Sequence, residues 1–183
     1  MLDVAIIGDG PGGLSAALFL AKKGLSTVVY GQNQTAMHWA LLKNYLGVAE
    51  ISGTDFQTQA RSQVEAFGAR IEDRLVEGVS AANGAFRVTF AGGESADARY
   101  LVLSEGKAPR LAQQLGLRFD GAAAITDKNG QTSVQGVYAV GRLARPGRSQ
   151  AIISAGDGAV VALDILSKEK GQDVVDWDSP PKQ

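Results

Sequence analysis

Three glycines near the start of the chain have the spacing that a nucleotide phosphate requires. Gly8, Gly10 and Gly13 lie in the segment IIGDGPGGLSAALFL, after a strand-like run and before a helix-like run. Gly8 permits a tight turn, Gly10 lets the backbone approach a pyrophosphate, and Gly13 lets the helix pack close to the strand. Free amides at the positive end of the helix would hold the phosphates. The loop predicts dinucleotide binding, with a purely structural strand-to-helix turn as the alternative.

The composition excludes several other kinds of chemistry. The chain has no cysteine, which removes disulfides, thiolate metal sites and cysteine redox chemistry, and one histidine, which removes a multi-histidine metal site. We therefore expect no metal site. A net charge of -1 gives no electrostatic argument for nucleic acid. No apolar run reaches the roughly 18 residues of a spanning helix, and no signal peptide is recognisable, so we expect a cytoplasmic protein without a membrane partner.

The elements that must position the glycine loop form a βαβ unit. Residues 3–7 predict a buried parallel strand, because they are short, apolar and β-branched. A helix is predicted from about residue 12 to residue 23, with Gly24 as its stop, and residues 26–30 predict a second strand. The crossover should be right-handed.

A second helix and a change of period follow. The helix is predicted to start at a cap on Thr54 or Asp55 and to end at Gly68. Residues 70–103 then alternate with a period of two, and the AsnGly and GlyGly pairs within them predict an antiparallel meander.

The last part of the chain predicts one more strand and one more helix. VYAV at 137–140 predicts a buried strand, and residues 151–167 predict a long helix in which Gly156 and Gly158 indicate close packing against backbone or a ligand. We expect one domain over residues 1–170 and a loosely ordered tail over 171–183.

Four segments in this order resemble the FAD-binding half of a thioredoxin reductase. They are the glycine loop, KNYLG with ISG at 43–53, TSVQGVYAVG at 132–141 and QAIISAGDG at 150–158. The resemblance extends from about residue 2 to residue 168. It implies an α/β protein with a three-layer Rossmann-like FAD-binding fold, a parallel central sheet and a small antiparallel β-meander.

The resemblance also implies that one domain of the family is missing here. In that family, an NADPH-binding domain with a redox-active cysteine pair is inserted between the stretches similar to residues 101–110 and 120–139. About ten residues join them here. A stand-alone FAD-binding domain is therefore expected, with electrons exchanged with a separate redox partner protein or NAD(P)H. The oligomeric state stays open, with a homodimer among the options.

The resemblance carries over a set of cofactor-binding positions but no catalytic residue. The glycine loop would bind the pyrophosphate, Asn44 would lie near the flavin, and the start of the last helix would meet the flavin ring. The expected cofactor-binding residues are Gly8, Gly10, Pro11, Gly12, Gly13, Asn44, Gly141, Arg142, Gln150, Ala151 and Ile152.

The chain departs from the family pattern at two acidic positions. The acid that binds the adenosine ribose at the end of the second strand is replaced by Gly31, and no Asp or Glu occurs from residue 10 to residue 49. We expect Gln32, Asn33 or water to hold the ribose instead. The family's carboxylate after the last strand is replaced by Arg142, which either contacts a phosphate or, with Arg145 and Arg148, belongs to a solvated loop.

The sequence does not show whether two further side chains, Glu105 and His38, face the ligand. Glu105 stands where the family has a neutral threonine near the cofactor. His38, between Met37 and Trp39, lacks the neighbours of a catalytic histidine, so we expect it to be structural, with its neighbours used for packing.

An alternative function is a non-catalytic module that kept the fold and lost the flavin. A glycine at position 31 relieves repulsion against a 2′-phosphate, so an NADP-like or ADP-like ligand is conceivable for such a module. An interaction module without a ligand is the other form of this alternative.

Overall fold

The computed structural model describes residues 1–82 and 84–180, and its centre is a seven-stranded sheet. The strands are β1 (Leu2–Ile7), β2 (Thr27–Gly31), β3 (Leu41–Leu42), β4 (Ile51–Ser52), β5 (Arg70–Asp73), β6 (Val76–Ala82), β7 (Ala85–Phe90), β8 (Ser95–Leu103), β9 (Phe119–Asp120), β10 (Ala123–Ala124) and β11 (Val137–Ala139). The helices are α1 (Pro11–Lys22), α2 (Gly53–Ala66), α3 (Arg110–Gln114) and α4 (Ala151–Lys170), with a 3-10 turn at Ala36–Trp39.

The sheet branches at β8. The order along the sheet is β5, β2, β1, β8, β7, β6, and β5, β2, β1 and β8 run parallel. The first half of β8 pairs antiparallel with β7, from Ser95 to Ala98, whereas its second half pairs parallel with β11, from Leu101 to Leu103. One strand therefore belongs to both the meander and the parallel sheet. Two small antiparallel pairs, β3 with β4 and β9 with β10, lie outside this sheet.

The alternation along β1 divides the core into two layers. Val4 and Ile6 are fully buried against α1 and α4, while Ala5 and Ile7 are buried against the meander and α3. A strand covered on both faces requires a continuous apolar sequence, which is what residues 4–7 supply. The result is the expected α/β architecture of three layers, namely helices, parallel sheet and meander.

Two glycines let α1 and α4 cross at close range. A Cβ atom on Gly158 would lie 2.1 Å from the carbonyl oxygen of Gly12, and a Cβ on Gly12 would lie 2.9 Å from Val140. The close packing predicted for Gly158 is therefore confirmed. Among the described residues no atom lies within 4 Å of a Cβ on Gly156, so packing against backbone was wrong there, and packing against a ligand stays a prediction. The crossing brings the first turns of both helices to the same end of the sheet.

The structure corrects two predicted elements. Helix α2 begins at Gly53 with Ser52 as its N-cap, because the Ser52 hydroxyl accepts a hydrogen bond from the Asp55 amide at 3.0 Å. Neither Thr54 nor Asp55 is the cap. Strand β5 does not belong to the meander but pairs parallel with β2 at the sheet edge, since a short edge strand and a hairpin strand have the same period. The residue Asn83 of the predicted AsnGly turn lies outside the described residues.

The segment after α4 contains neither helix nor strand over residues 172–180. The Val174 side chain packs against the α1 and α4 layer, and its amide donates to the Ser167 hydroxyl at 2.9 Å. The carboxylate of Asp176 pairs with Lys22 at 2.8 Å and Lys23 at 2.6 Å. Loose ordering of the tail stays a prediction, and residues 181–183 lie outside the described chain.

Candidate functional site

An open cavity of about 690 Å³ lies where the parallel strands end. Its lining includes Ile7 and Gly8 at the end of β1, Tyr30 and Gly31 at the end of β2, and Ser104 after β8. Ligands of open α/β sheets bind in the crevice outside the carboxyl ends of the strands. The volume is within the usual range of about 300–1,000 Å³ for small-molecule sites.

The glycine loop has the geometry that its sequence predicted. Gly8 has φ +103, and a Cβ there would lie 2.3 Å from the Ser104 carbonyl oxygen. A Cβ on Gly13 would lie 2.1 Å from the Gly8 carbonyl oxygen, so the turn closes directly on the helix. Gly10 differs, because its Cβ would meet only the Thr35 and Ser104 hydroxyls, at 3.7 and 3.8 Å. Gly8 and Gly13 are required for packing, whereas a Cβ on Gly10 would meet its neighbours only at ordinary contact distance.

Two long helices begin at this cavity without a side-chain cap. Gly10 is the N-cap of α1 and Gln150 is the N-cap of α4, and no side chain of either N-cap accepts a hydrogen bond from the helix. Neither helix has an acidic residue in its first turn. Helix α2, by contrast, has both the Ser52 cap and Asp55 in its first turn. Free amides and an uncompensated positive dipole end are what an anion binds.

The three arginines of the loop before α4 lie in different surroundings. Arg142 lines the cavity, and its Nε donates to the Ser149 hydroxyl at 3.0 Å. Arg145 pairs with Asp157 at 2.9 Å, and Arg148 is exposed. Only Arg142 of the three is part of the cavity wall.

Four candidate residues, Asn44, Gln150, Ala151 and Ile152, are not part of the cavity lining. Asn44 donates from its Nδ2 to Oε1 of Gln150 at 3.1 Å, which ties the segment before β4 to the start of α4. Ala151 and Ile152 form the first turn of α4, and Ile152 is exposed. Of the expected positions, Gly8, Gly10, Gly141 and Arg142 line the cavity itself, while Pro11, Gly12 and Gly13 form the first turn of α1.

A carboxylate missed by the sequence analysis lies beside Gly31. The stretch without Asp or Glu starts at residue 10, but the side chain of Asp9, one residue earlier, lies against Gly31 and lines the cavity. The Gly8 amide donates to the Tyr30 carbonyl at 2.8 Å, so the residues after β1 and at the end of β2 are neighbours. Gly31 therefore has an acidic neighbour in the fold, although residues 10–49 contain no acid. The parallel pairing of β1 with β2 was the signal that could have found Asp9.

Asp9 is fixed from several sides. Its Oδ2 accepts a hydrogen bond from the Asn33 amide at 3.1 Å and pairs with Arg61. Arg61 also donates to Asp73 at 2.7 Å, and Gln57 donates to the Asp9 carbonyl. Burial lowers the pKa of Arg61, but the hydrogen bonds and charges of Asp73 and Asp9 outweigh it and raise the pKa above its ordinary value. Arg61 therefore stays charged.

Glu105 and His38 both have structural partners. The Glu105 carboxylate accepts hydrogen bonds from the amides of Leu111 and Ala112, at 2.7 and 2.9 Å, and thus caps α3 beside the cavity. Burial raises the pKa of Glu105, and the two amide bonds offset only part of this effect. His38 contacts the Thr54 hydroxyl at 3.0 Å and the Asn33 carbonyl at 2.8 Å, which agrees with a structural role.

The sequence matches the family model described as pyridine nucleotide-disulphide oxidoreductase, over residues 2–110 and 52–159. The chain belongs to this pyridine nucleotide-disulphide oxidoreductase family. Among curated relatives, the thioredoxin reductase of Helicobacter pylori is 31% identical over 60% of this chain and 37% of its own length. The thioredoxin reductase of Mycolicibacterium smegmatis is 33% identical over 59% of this chain and 36% of its own length. The chain thus matches little more than a third of these members of the oxidoreductase family.

Solved structures share the fold of this family member. A thioredoxin reductase from Gloeobacter violaceus superposes with a TM-score of 0.86 and 19% identity, covering 98% of both chains. The atypical thioredoxin reductase TRi from Desulfovibrio vulgaris Hildenborough gives a TM-score of 0.85 and 19% identity, over 93% of this chain and 99% of its own. Within residues 1–82 and 84–180, no helix is long and apolar enough to cross a membrane.

Proposed function

We propose that this chain binds FAD in the cavity and acts as a flavin-carrying redox module of the thioredoxin reductase type. The observation that carries the proposal is the meeting of two uncapped helix N-termini, those of α1 and α4, at one cavity. A dinucleotide supplies the anion that both ends lack, because its pyrophosphate sits in the middle of the molecule.

The residues of the cavity suit the parts of FAD. The amides after Gly10 would hold the pyrophosphate, and Arg142 would add a charge-assisted contact to a phosphate oxygen. A side chain at residue 10 would fill the space beside the Thr35 and Ser104 hydroxyls, so glycine keeps this approach free. Asn44, Gln150, Ala151 and Ile152 would position the flavin ring.

The chain's own contribution to a redox reaction is binding and orientation. FAD, when bound, supplies reversible electron transfer that no side chain of the protein can perform. The sequence contains no cysteine, so it offers no thiol to accept electrons. We therefore propose that the electron donor and the acceptor are separate molecules, either a partner protein or NAD(P)H.

The alternative function, a non-catalytic nucleotide-binding module, predicts a different ligand. Gly31 made an NADP-like ligand conceivable, but the Asp9 carboxylate beside Gly31 would repel a 2′-phosphate. An ADP-like ligand remains the competing candidate.

The test is a visible absorption spectrum of the purified protein, followed by thermal-shift titration with FAD, FMN, NAD, NADP and ADP. We expect a flavin band or, after flavin removal, the largest rise in melting temperature with FAD. The test variant is Gly10→Val, because residue 10 has extended backbone and its Cβ would lie at ordinary contact distance, 3.7 and 3.8 Å, from the Thr35 and Ser104 hydroxyls. It should fold and lose the response to FAD. A colourless protein that does not respond to FAD would contradict the proposal.

A further inference from the structure

Dinucleotide-binding folds bind the adenosine ribose at the end of the second strand of the βαβ unit. An acidic side chain at this position accepts a hydrogen bond from the 2′-hydroxyl. In this chain β2 ends at Gly31, which has no side chain to do so. The place beside it is nevertheless occupied. A Cβ on residue 31 would lie 2.4 Å from Cγ of Asp9 and 2.8 Å from its Oδ1. The carboxylate of Asp9 therefore fills the space that a side chain at residue 31 would enter.

One oxygen of this carboxylate is bound and the other is not. Oδ2 accepts hydrogen bonds from the Asn33 amide and from Arg61. Among the residues that the structure describes, none donates a hydrogen bond to Oδ1, although the Asp9 side chain is only 6% exposed. Oδ1 is not among the buried atoms that are cut off from solvent, so it is the accessible acceptor of this carboxylate. Because Asp9 lines the cavity, a ligand there can donate to Oδ1.

The surroundings hold the side chain in this orientation before any ligand binds. Arg61 is shared between Asp9 and Asp73, and Asp73 is the residue of β5 that pairs with Gly31. The Gln57 side chain, which is fully buried, donates to the Asp9 carbonyl. These contacts engage Oδ2 and hold the carboxylate in place, which leaves Oδ1 as a preorganised acceptor for a ligand in the cavity.

We propose that Asp9 binds a hydroxyl of the adenosine ribose, in the role that an acid at the end of β2 would otherwise have. This inference rests on the proposed binding of FAD in the same cavity. The acidic residue thus lies in the loop, between Gly8 and Gly10, and not at the end of β2. Glycine at residue 31 leaves the space that the Asp9 side chain occupies. The same carboxylate disfavours adenosine ligands that carry a 2′-phosphate.

The experiment compares FAD with two analogues whose adenosine lacks the 2′- or the 3′-hydroxyl, by fluorescence titration of flavin-free protein. For the wild type, at least one analogue should bind about tenfold more weakly, as expected for loss of one charge-assisted bond. The ratio of the analogue's dissociation constant to that of FAD should fall to about twofold or less in Asp9→Asn. The matched control is Asp73→Asn, which removes the other partner of Arg61 but is not part of the cavity lining, and it should keep the wild-type ratio.

The outcomes separate this inference from the proposed function. If FAD binds but the wild type binds both analogues as tightly as FAD, or if Asp9→Asn keeps the ratio, Asp9 is not the ribose ligand. If Asp9→Asn and Asp73→Asn both lose the preference for FAD over the analogue, the preference depends on Arg61, which both aspartates contact. The inference is then again overturned. If the wild type binds no FAD, the proposed function fails and the inference fails with it. Melting of each variant without ligand shows that it is folded.

Discussion

The carboxylate of Asp9 lies directly against the α-carbon of Gly31, in the volume that any side chain at residue 31 would need. These residues are far apart in the sequence and become neighbours because β1 and β2 run parallel, with Ile7 opposite Tyr30. The glycine and the aspartate are therefore one structural unit.

The first prediction follows from this contact. Gly31→Ala should lower the free energy of unfolding by about 1–3 kcal/mol, because Asp9 is held by Arg61 and cannot move aside freely. The measurement is urea denaturation followed by circular dichroism. In an Asp9→Gly background the same substitution should cost at least about 1 kcal/mol less, within the usual coupling of contacting residues. An equal cost in both backgrounds would mean that Asp9 does not occupy this space.

The second prediction concerns the crossing of α1 and α4. Gly158→Ala should destabilise the protein by about 1–3 kcal/mol, because the new methyl group would meet the backbone oxygen of Gly12. Gly156→Ala is the matched control in the same helix, with nothing within 4 Å of its Cβ position. It should stabilise the protein by about 0.5–1 kcal/mol, through the lower entropy cost of alanine in a helix. Thermal unfolding of both variants gives the comparison, and shifts of the same sign would contradict it.

The third prediction concerns Arg142 at the cavity wall. Arg142→Gln should weaken FAD binding about tenfold to a hundredfold, which corresponds to the roughly 1.5–3 kcal/mol of a charge-assisted hydrogen bond. Arg148→Gln removes the same charge from an exposed position of the same loop and should leave the affinity unchanged. Isothermal titration measures both. Equal losses in the two variants would indicate a general charge effect and no phosphate contact.

The fourth prediction is a pH effect on the tail. Hydrogen bonds from Lys22 and Lys23 hold the pKa of the Asp176 carboxyl below its ordinary value of 3.8. The folded tail therefore favours the ionised carboxylate of Asp176. The stabilisation that this carboxylate gives to the folded tail is present above pH 3.8 and is lost as the pH falls through the lowered pKa. Hydrogen exchange at the Val174 amide, corrected for the intrinsic rate, should accelerate over that range.

Two variants check this assignment. Asp176→Asn should show fast exchange at Val174 already at neutral pH, with little further change in acid. Asp178→Asn removes only the exposed ion pair of Lys22, with a carboxylate side chain that is 74% exposed, and the amide should stay protected because exposed pairs contribute little. Protection in Asp176→Asn equal to that of the wild type would show that the ion pairs do not hold the tail.

The sequence predicted the local parts of the site more fully than the contacts between distant segments. The glycine loop, α1 and the strands around it follow from neighbouring residues, since glycine spacing and apolar periodicity are local signals. Asp9 was missed because its relation to Gly31 depends on the register between two strands. The edge position of β5 was missed for the same reason, because its alternation is the same in parallel and antiparallel pairs.

The start of α2 shows another limit of local signals. The segment Ser52–Asp55 offers three residues that can cap a helix, and their side chains alone do not rank them. In the structure the Thr54 hydroxyl contacts His38, which leaves Ser52 to bond the helix amide. The choice is made by the 3-10 turn that packs against α2 and not by the capping residues themselves.

The branching of β8 has a consequence for the order of events during synthesis. Strand β1 is translated before its second parallel neighbour, β8, which ends at Leu103, and β11, the parallel partner of β8, ends only at Ala139. Such long-range parallel pairing forms slowly and late. The start of α4, which closes the cavity, leaves the ribosome later still. The cavity is therefore complete only after residues 151–170 have been translated, and the proposed binding of a flavin would have to follow the synthesis of α4.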